Sequence, residues 1–130
     1  MSAGVHLNQV TVVAHDYERS CSFYRTLGLR QIVAAPPRYA RFEAANGATF
    51  SIHSGKAAPS QAVVIYFETD DVDGMFERLV TDGAAALSEP REEPWLWREA
   101  RLLDPAGNAI CLFTAGQNRQ FPPWRLPASP

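Results

Sequence analysis

The 130-residue sequence predicts an α+β protein made by duplicating one unit: a strand, a helix and then several strands. Three matches in order carry that reading. First, Val10-Thr11-Val12-Val13-Ala14-His15-Asp16 parallels Ile65-Tyr66-Phe67-Glu68-Thr69-Asp70-Asp71, 55 residues on. Both are β-branched or aromatic runs that end in Asp. Second, a helix-like segment follows each Asp and stops near a glycine, Gly28 and Gly83, at the same offset. Third, the turn and strand at 46–53 resemble those at 106–113, at an offset of 60. Different loop lengths inside one shared unit account for the drift.

Each element has a local reason. Asp16 is placed to cap a helix, because its carboxylate can accept the free N–H groups of the first turn. The apolar positions Tyr17, Cys21, Tyr24 and Leu27 then fall on one helical face, with Phe23 beside them. Gly28 can take the left-handed conformation that ends a helix. Strands at 38–45 and 49–53 flank an Asn46-Gly47 turn, whose glycine frees φ. The small-residue and proline segment 54–61 joins the halves. In the second half Asp71 caps, Val72, Met75, Phe76, Leu79 and Val80 have helical spacing, and Gly83 ends the helix. Strands at 95–103 and 109–113 flank the Asp104-Pro105-Ala106-Gly107-Asn108 turn. The expected organisation is one domain over 1–116, with modules at 7–54 and 61–114, followed by a proline-rich tail at 117–130. That tail should run extended. Whether it is disordered or docks through Phe121 and Trp124 is open at this level.

Composition narrows the function classes. Hydrophobic residues make up 46% and charged residues 20%, an ordinary globular balance. A net charge of −2 argues against nucleic acid as the main partner. No apolar run approaches the roughly 18 residues of a membrane span. The first residues lack a basic, signal-like pattern, which predicts no export and a cytoplasmic protein. Cys21 and Cys111 are the two cysteines, too few for a disulfide framework, and a reducing compartment fits them.

Strand alternation sorts the side chains by face. Val10, Val12, Phe50, Ile52, Val63, Ile65, Phe67, Ile110 and Leu112 form a wholly apolar set that should pack against the helices. Gln9, Thr11, Thr49, Ser51, His53, Val64, Tyr66, Ala109, Cys111 and Phe113 lie opposite. That second face is mixed and partly polar, so it should line a cavity or meet another sheet.

The 16–29 stretch after the first strand, the 66–73 stretch and the Asp-Pro-x-Gly-Asn turn with Ala109 and Ile110 together resemble the vicinal oxygen chelate superfamily. This is the group of glyoxalases, bleomycin-resistance proteins and extradiol dioxygenases. The resemblance covers about residues 7–114. It implies paired βαβββ modules whose strands curve into an open, cup-shaped mixed sheet with the helices outside, often completed by a second subunit. A homodimer is therefore expected. It also implies a divalent metal held by His, Gln and Glu from the first and last strands of the modules. Carried over, those positions are Gln9, Val64, Ser51 and Cys111.

The donors at those positions oppose a metal. Val64 has no lone pair, Gln9 and Ser51 are weak neutral donors, and one cysteine does not make a site. The one rescue, Gln9 with His53 and Cys111, is an unusual set. No metal, no cofactor and no catalytic residue is the expectation. His53 otherwise reads as a partly exposed strand end, His6 and His15 as surface, and Cys111 as a small buried apolar residue whose only candidate base is His53.

The 94–100 segment offers Trp95 and Trp97, which as part of a strand would point to one face. They suggest an aromatic wall for a flat ligand, unless they form a lid or subunit contact. Where this sequence has Leu96 the family often has Gly. Arg98 or Arg41 could pair with an anionic group, and Tyr39, Tyr66 and Phe113 add aromatic surface. The ligand-binding set is thus Gln9, Thr11, Ser51, His53, Val64, Tyr66, Trp95, Trp97, Arg98, Cys111 and Phe113. The expected function is binding of a small organic molecule without a metal, with no membrane partner. Two alternatives compete: a lyase, isomerase or oxygenase with a non-standard metal site, and an assembly module that uses only the fold.

Overall fold

The computed structural model describes residue 4 and residues 7–56 and 63–127. His6 and much of the 54–61 linker lie outside the described residues. The elements run β1 (Gln9–Ala14), α1 (Tyr17–Leu27), β2 (Arg30–Ala35), β3 (Tyr39–Glu43), β4 (Thr49–Ser54), β5 (Val64–Glu68), α2 (Val72–Thr81), β6 (Ala85–Glu92), β7 (Arg98–Leu103) and β8 (Ala109–Thr114). The chain divides into two compact units. One is residues 1–60 with the turn at 104–108; the other is 61–103 with 109–130.

Both modules have the same topology, which is what a duplication requires. Each sheet has four strands, ordered β1-β4-β3-β2 and β5-β8-β7-β6. The first strand of each module pairs in parallel with its last, and the other pairings are antiparallel. The repeat extends to register: Gln9 lies opposite Thr49 and Val64 opposite Ala109, the offsets of 55 and 60 read from the sequence.

Helix termini follow from the two aspartates. Asp16 accepts from the Arg19 N–H at 3.1 Å, and Asp71 from the Gly74 N–H at 2.9 Å. Gly28 ends α1 at φ 109°, where an L side chain would be strained. In the first unit Tyr24 is fully buried and packs on Phe50 (ring centroids 4.4 Å) and Phe42 (6.0 Å). The apolar set of the first sheet therefore meets α1, leaving the opposite face to Gln9, Thr11, Tyr39, Arg41, Thr49, Ser51 and His53.

The buried aspartate of the β7–β8 turn explains why that turn groups with α1. Asp104 accepts the Tyr24 hydroxyl at 2.6 Å, the Ala106 and Asn108 N–H groups at 3.0 and 2.8 Å, and the Asn108 amide at 2.8 Å. The same amide donates to the Val13 carbonyl at 2.9 Å.

Three expectations fail locally. β7 starts at Arg98, not at residue 95, because residues 93–97 form a tight turn closed by the Glu93 N–H to the Trp97 carbonyl at 2.7 Å. Leu96 in that turn has φ 69°, the left-handed geometry in which hairpins favour glycine. Val63 precedes β5 and is 63% exposed, so it does not belong to the core-facing set. The tail is not extended at its start. A 3₁₀ turn forms at Gly116–Asn118, and the Phe121 N–H returns to the Gln117 carbonyl at 2.7 Å. Beyond it, Phe121, Trp124 and Leu126 are exposed.

Leu96 yields a stability prediction. A left-handed L residue costs about 1–2 kcal/mol, and glycine's extra unfolded-state entropy returns about 0.5–1 kcal/mol of that. Leu96 is itself exposed and loses little packing. Leu96→Gly should therefore stabilise the protein by about 0.5–1 kcal/mol, read as a raised Tm or urea midpoint.

Candidate functional site

The first sheet carries a polar network on its helix-free face. The Gln9 amide donates to Ser51 Oγ at 2.8 Å and to Thr11 Oγ1 at 3.2 Å, and its oxygen accepts from Thr49. Tyr39 meets Ser51 Oγ at 2.7 Å, and Arg41 Nε donates to the Tyr39 hydroxyl at 2.8 Å. Ser51 is fully buried beneath these groups. The Ser51 hydrogen bond and, against a small burial effect, the Arg41 guanidinium hold the Tyr39 phenol below its ordinary value. His53 stands apart: it is exposed and pairs with Val13 across the ladder. It lies four residues along the strand from Thr49, the neighbour of Gln9, or about 13 Å.

The second sheet is aromatic where the first is polar. Trp97 stacks on Phe113 (centroids 4.6 Å, 22° between planes), and Tyr66 meets both rings edge-on at 6.0 and 5.8 Å. Val64 and Trp97 pack against Cys111, Phe113 and Ala115. Alternation along β7 adds Glu99 and Arg101 to this face, opposite Phe113 and Cys111 in register. Glu99 is only 4% exposed, with one oxygen accepting the Trp95 indole N–H at 3.0 Å and the other Arg101 Nε at 3.2 Å. Arg101 Nη2 donates to the Tyr66 hydroxyl at 3.1 Å, with the guanidinium 5.8 Å from that ring's centroid. Both tryptophans thus reach one face, but through the turn rather than through strand alternation.

The expected site residues separate accordingly. Gln9, Thr11 and Ser51 come together in the first unit. Val64, Tyr66, Trp95, Trp97, Cys111 and Phe113 come together in the second. Arg98 joins neither group. It points to the helical side of β7, where Asp73 of α2 grips it twice at 2.8 Å and Glu92 at 3.3 Å. There it edges a surface hollow of about 590 Å³ with Asp70, Asp71, Leu96 and Thr114. Glu99 and Arg101 were missed from sequence. The one signal in the sequence is a pair of opposite charges at i and i+2, and that pattern is shared by a solvated edge strand.

A family model for the Glyoxalase/Bleomycin resistance protein/Dioxygenase superfamily matches residues 6–112. The chain belongs to that superfamily. Its fold is shared with a lactoylglutathione lyase from Agrobacterium tumefaciens (TM-score 0.68, 16% identity, covering 87% of this chain and 96% of that one). A protein of unknown function from Agrobacterium tumefaciens str. C58 gives TM-score 0.71 at 26% identity, with 87% and 96% covered. A glyoxalase-related enzyme from Fulvimarina pelagi gives 0.73 at 17%, with 84% and 87% covered. No curated protein matches the chain at the sequence level. Among the described residues no helix is long and apolar enough to cross a membrane.

The donor chemistry at the positions that hold the superfamily's metal is poor in both units. In the first unit Gln9 spends both ends of its amide on Ser51, Thr11 and Thr49. His53 is too far along the strand to share an ion with it. In the second unit Val64 offers no lone pair, which leaves Cys111, fully buried, as the one donor at the carried-over positions there. Burial and then the Glu99 charge push its thiol up to about 12. These side chains do not fit a divalent ion, which needs about three good ligands with charge to offset lost hydration.

The same thiol gives a second prediction. At pH 8 a group titrating near 12 is thiolate in only about one molecule in ten thousand. Cys111 is also fully buried. Iodoacetamide should leave it unmodified in the native protein at pH 8 and label it in urea, as read by peptide mass spectrometry.

Proposed function

We propose that this superfamily member binds a small organic molecule on the helix-free faces of its sheets without a resident metal, and acts as a cytoplasmic homodimer. The observation that carries the reading is the second sheet's face. A half-buried indole stacked on Phe113, an exposed Tyr66 and a fixed arginine adjoin one another where the superfamily's ligands would otherwise hold an ion. Aromatic surface flanked by a few oriented polar groups is what a small-molecule site needs. Two cysteines kept as buried thiols suit a reducing compartment. The named lyase relative is an enzyme, but at 16% identity it speaks only for the fold.

Elemental analysis of purified protein together with a ligand screen by tryptophan fluorescence tests the reading. The expected result is no stoichiometric zinc, iron, manganese or nickel, and quenching by flat aromatic compounds in the presence of EDTA. Stoichiometric metal, or binding that requires added metal, would overturn it and favour lyase, isomerase or oxygenase chemistry. No quenching by any aromatic compound would overturn it in favour of an assembly role.

A further inference from the structure

We infer that Arg101 and Tyr66 form an oxyanion subsite beside the aromatic surface, so that the ligand is a flat aromatic acid. The inference rests on the small-molecule reading above and specifies its ligand. The structure orders the charges in depth. Glu99 is 4% exposed and lies beneath, while the Arg101 side chain keeps 35% of its surface open. A ligand approaching the sheet therefore meets the guanidinium, not the carboxylate. Glu99 fixes Nε, and the Tyr66 oxygen accepts from Nη2. Among the described residues Nη1 has no hydrogen-bond partner. The Tyr66 hydroxyl is used as an acceptor and still has its own proton to donate.

Nη1 and the Tyr66 hydroxyl, joined through the Nη2–Tyr66 bond, are two donors for the two oxygens of a carboxylate, and a hydrogen bond to an ionised acceptor is roughly twice as strong as a neutral one. Because the fork is held before any ligand arrives, little ordering is left to oppose binding. The burial of Arg101 works against its charge, but the hydrogen bond to Glu99 and the Tyr66 contact outweigh it and keep the guanidinium protonated. One ring away, the Trp97 indole lies edge-on to Tyr66 at 6.0 Å and is half-buried. An acid bound at Arg101 and Tyr66 thus has its ring carried onto the indole. Aromatic stacking and a paired carboxylate are then satisfied by one rigid molecule.

Three probes separate these contributions: 2-naphthoate, its uncharged isostere 2-naphthamide, and acetate. Each is titrated at pH 7 with tryptophan emission and calorimetry as readouts. We expect 2-naphthoate to bind about tenfold more tightly than 2-naphthamide, and acetate to bind too weakly to detect. Tyr66→Phe, at an exposed position, should cut 2-naphthoate affinity about fivefold and 2-naphthamide affinity by less, because a bond to the neutral carbonyl is the weaker one. The double variant Glu99→Gln/Arg101→Met removes both charges together, so no buried carboxylate is stranded, and it should abolish the preference. Circular dichroism checks that each variant folds. Equal binding of acid and amide, or a preference that survives both variants, overturns the oxyanion subsite and leaves small-molecule binding standing. Acetate as tight as 2-naphthoate overturns the aromatic half. Failure of both naphthyl probes overturns the inference together with the function it rests on.

Discussion

Asp104→Ala should cost about 3–5 kcal/mol, enough to leave many domains of this size largely unfolded. The carboxylate has four donors: one phenol, two backbone N–H groups and one amide. Removing it takes the carboxylate acceptor away from the Tyr24 hydroxyl and from two turn N–H groups, and each lost buried bond costs about 1–3 kcal/mol. Relaxation of the turn and water entry return part of that sum. Asp104→Asn retains an accepting oxygen and should cost less. A double-mutant cycle with Tyr24→Phe should show coupling of about 1–3 kcal/mol in urea denaturation. Additive effects would mean that the aspartate shapes the turn only and does not fasten α1.

The same pair sets an alkaline limit. Burial, and then the charge and hydrogen bond of Asp104, raise the Tyr24 phenol well above its ordinary value of 10.0. A group whose folded value is raised contributes stability that is fully present below the unfolded value and lost as pH rises past it. The unfolded chain releases this proton near pH 10 while the native chain holds it. Urea midpoints should therefore fall above about pH 10, and Tyr24→Phe should flatten that fall.

The sequence made the fold legible because the duplication repeats three separate signals, and each has a local cause. A capping aspartate, a glycine that tolerates positive φ, and a turn between alternating strands act over a few residues. The site was legible only by location. Alternation placed Gln9, Ser51, Val64, Tyr66, Cys111 and Phe113 on one face of their strands, and the register agrees. Trp95 reaches the same face as Trp97, but from a turn, because a left-handed Leu96 bends the chain before β7 begins. Arg98 lies on the other face of β7, and its two bonds to Asp73 depend on α2 and cannot be read along the strand. Glu99 and Arg101 escaped notice for a related reason. A buried ion pair is a tertiary fact, and two charges at i and i+2 read equally well as a solvated edge.

Arg101→Met should destabilise the protein by about 2–3 kcal/mol. It removes the cation from a carboxylate that is nearly buried, leaving the Trp95 indole as the only donor to Glu99 among the described residues. Breaking a fully buried pair costs about 3–5 kcal/mol, and the smaller figure reflects the solvent that still reaches the arginine. Glu99→Gln in the same chain should restore stability to within about 1 kcal/mol of the parent, because glutamine keeps an oxygen for the indole and carries no charge to solvate. Urea midpoints for the single and double variants decide the mechanism. If the double variant is no more stable than Arg101→Met, the stranded charge is not the cause. Arg101 would then act through its aliphatic stem packed against Tyr66, and the guanidinium would not be held ready for a ligand. If the double variant recovers, the energy lies in the ion pair, and Glu99 is the group that orients the fork above the aromatic floor.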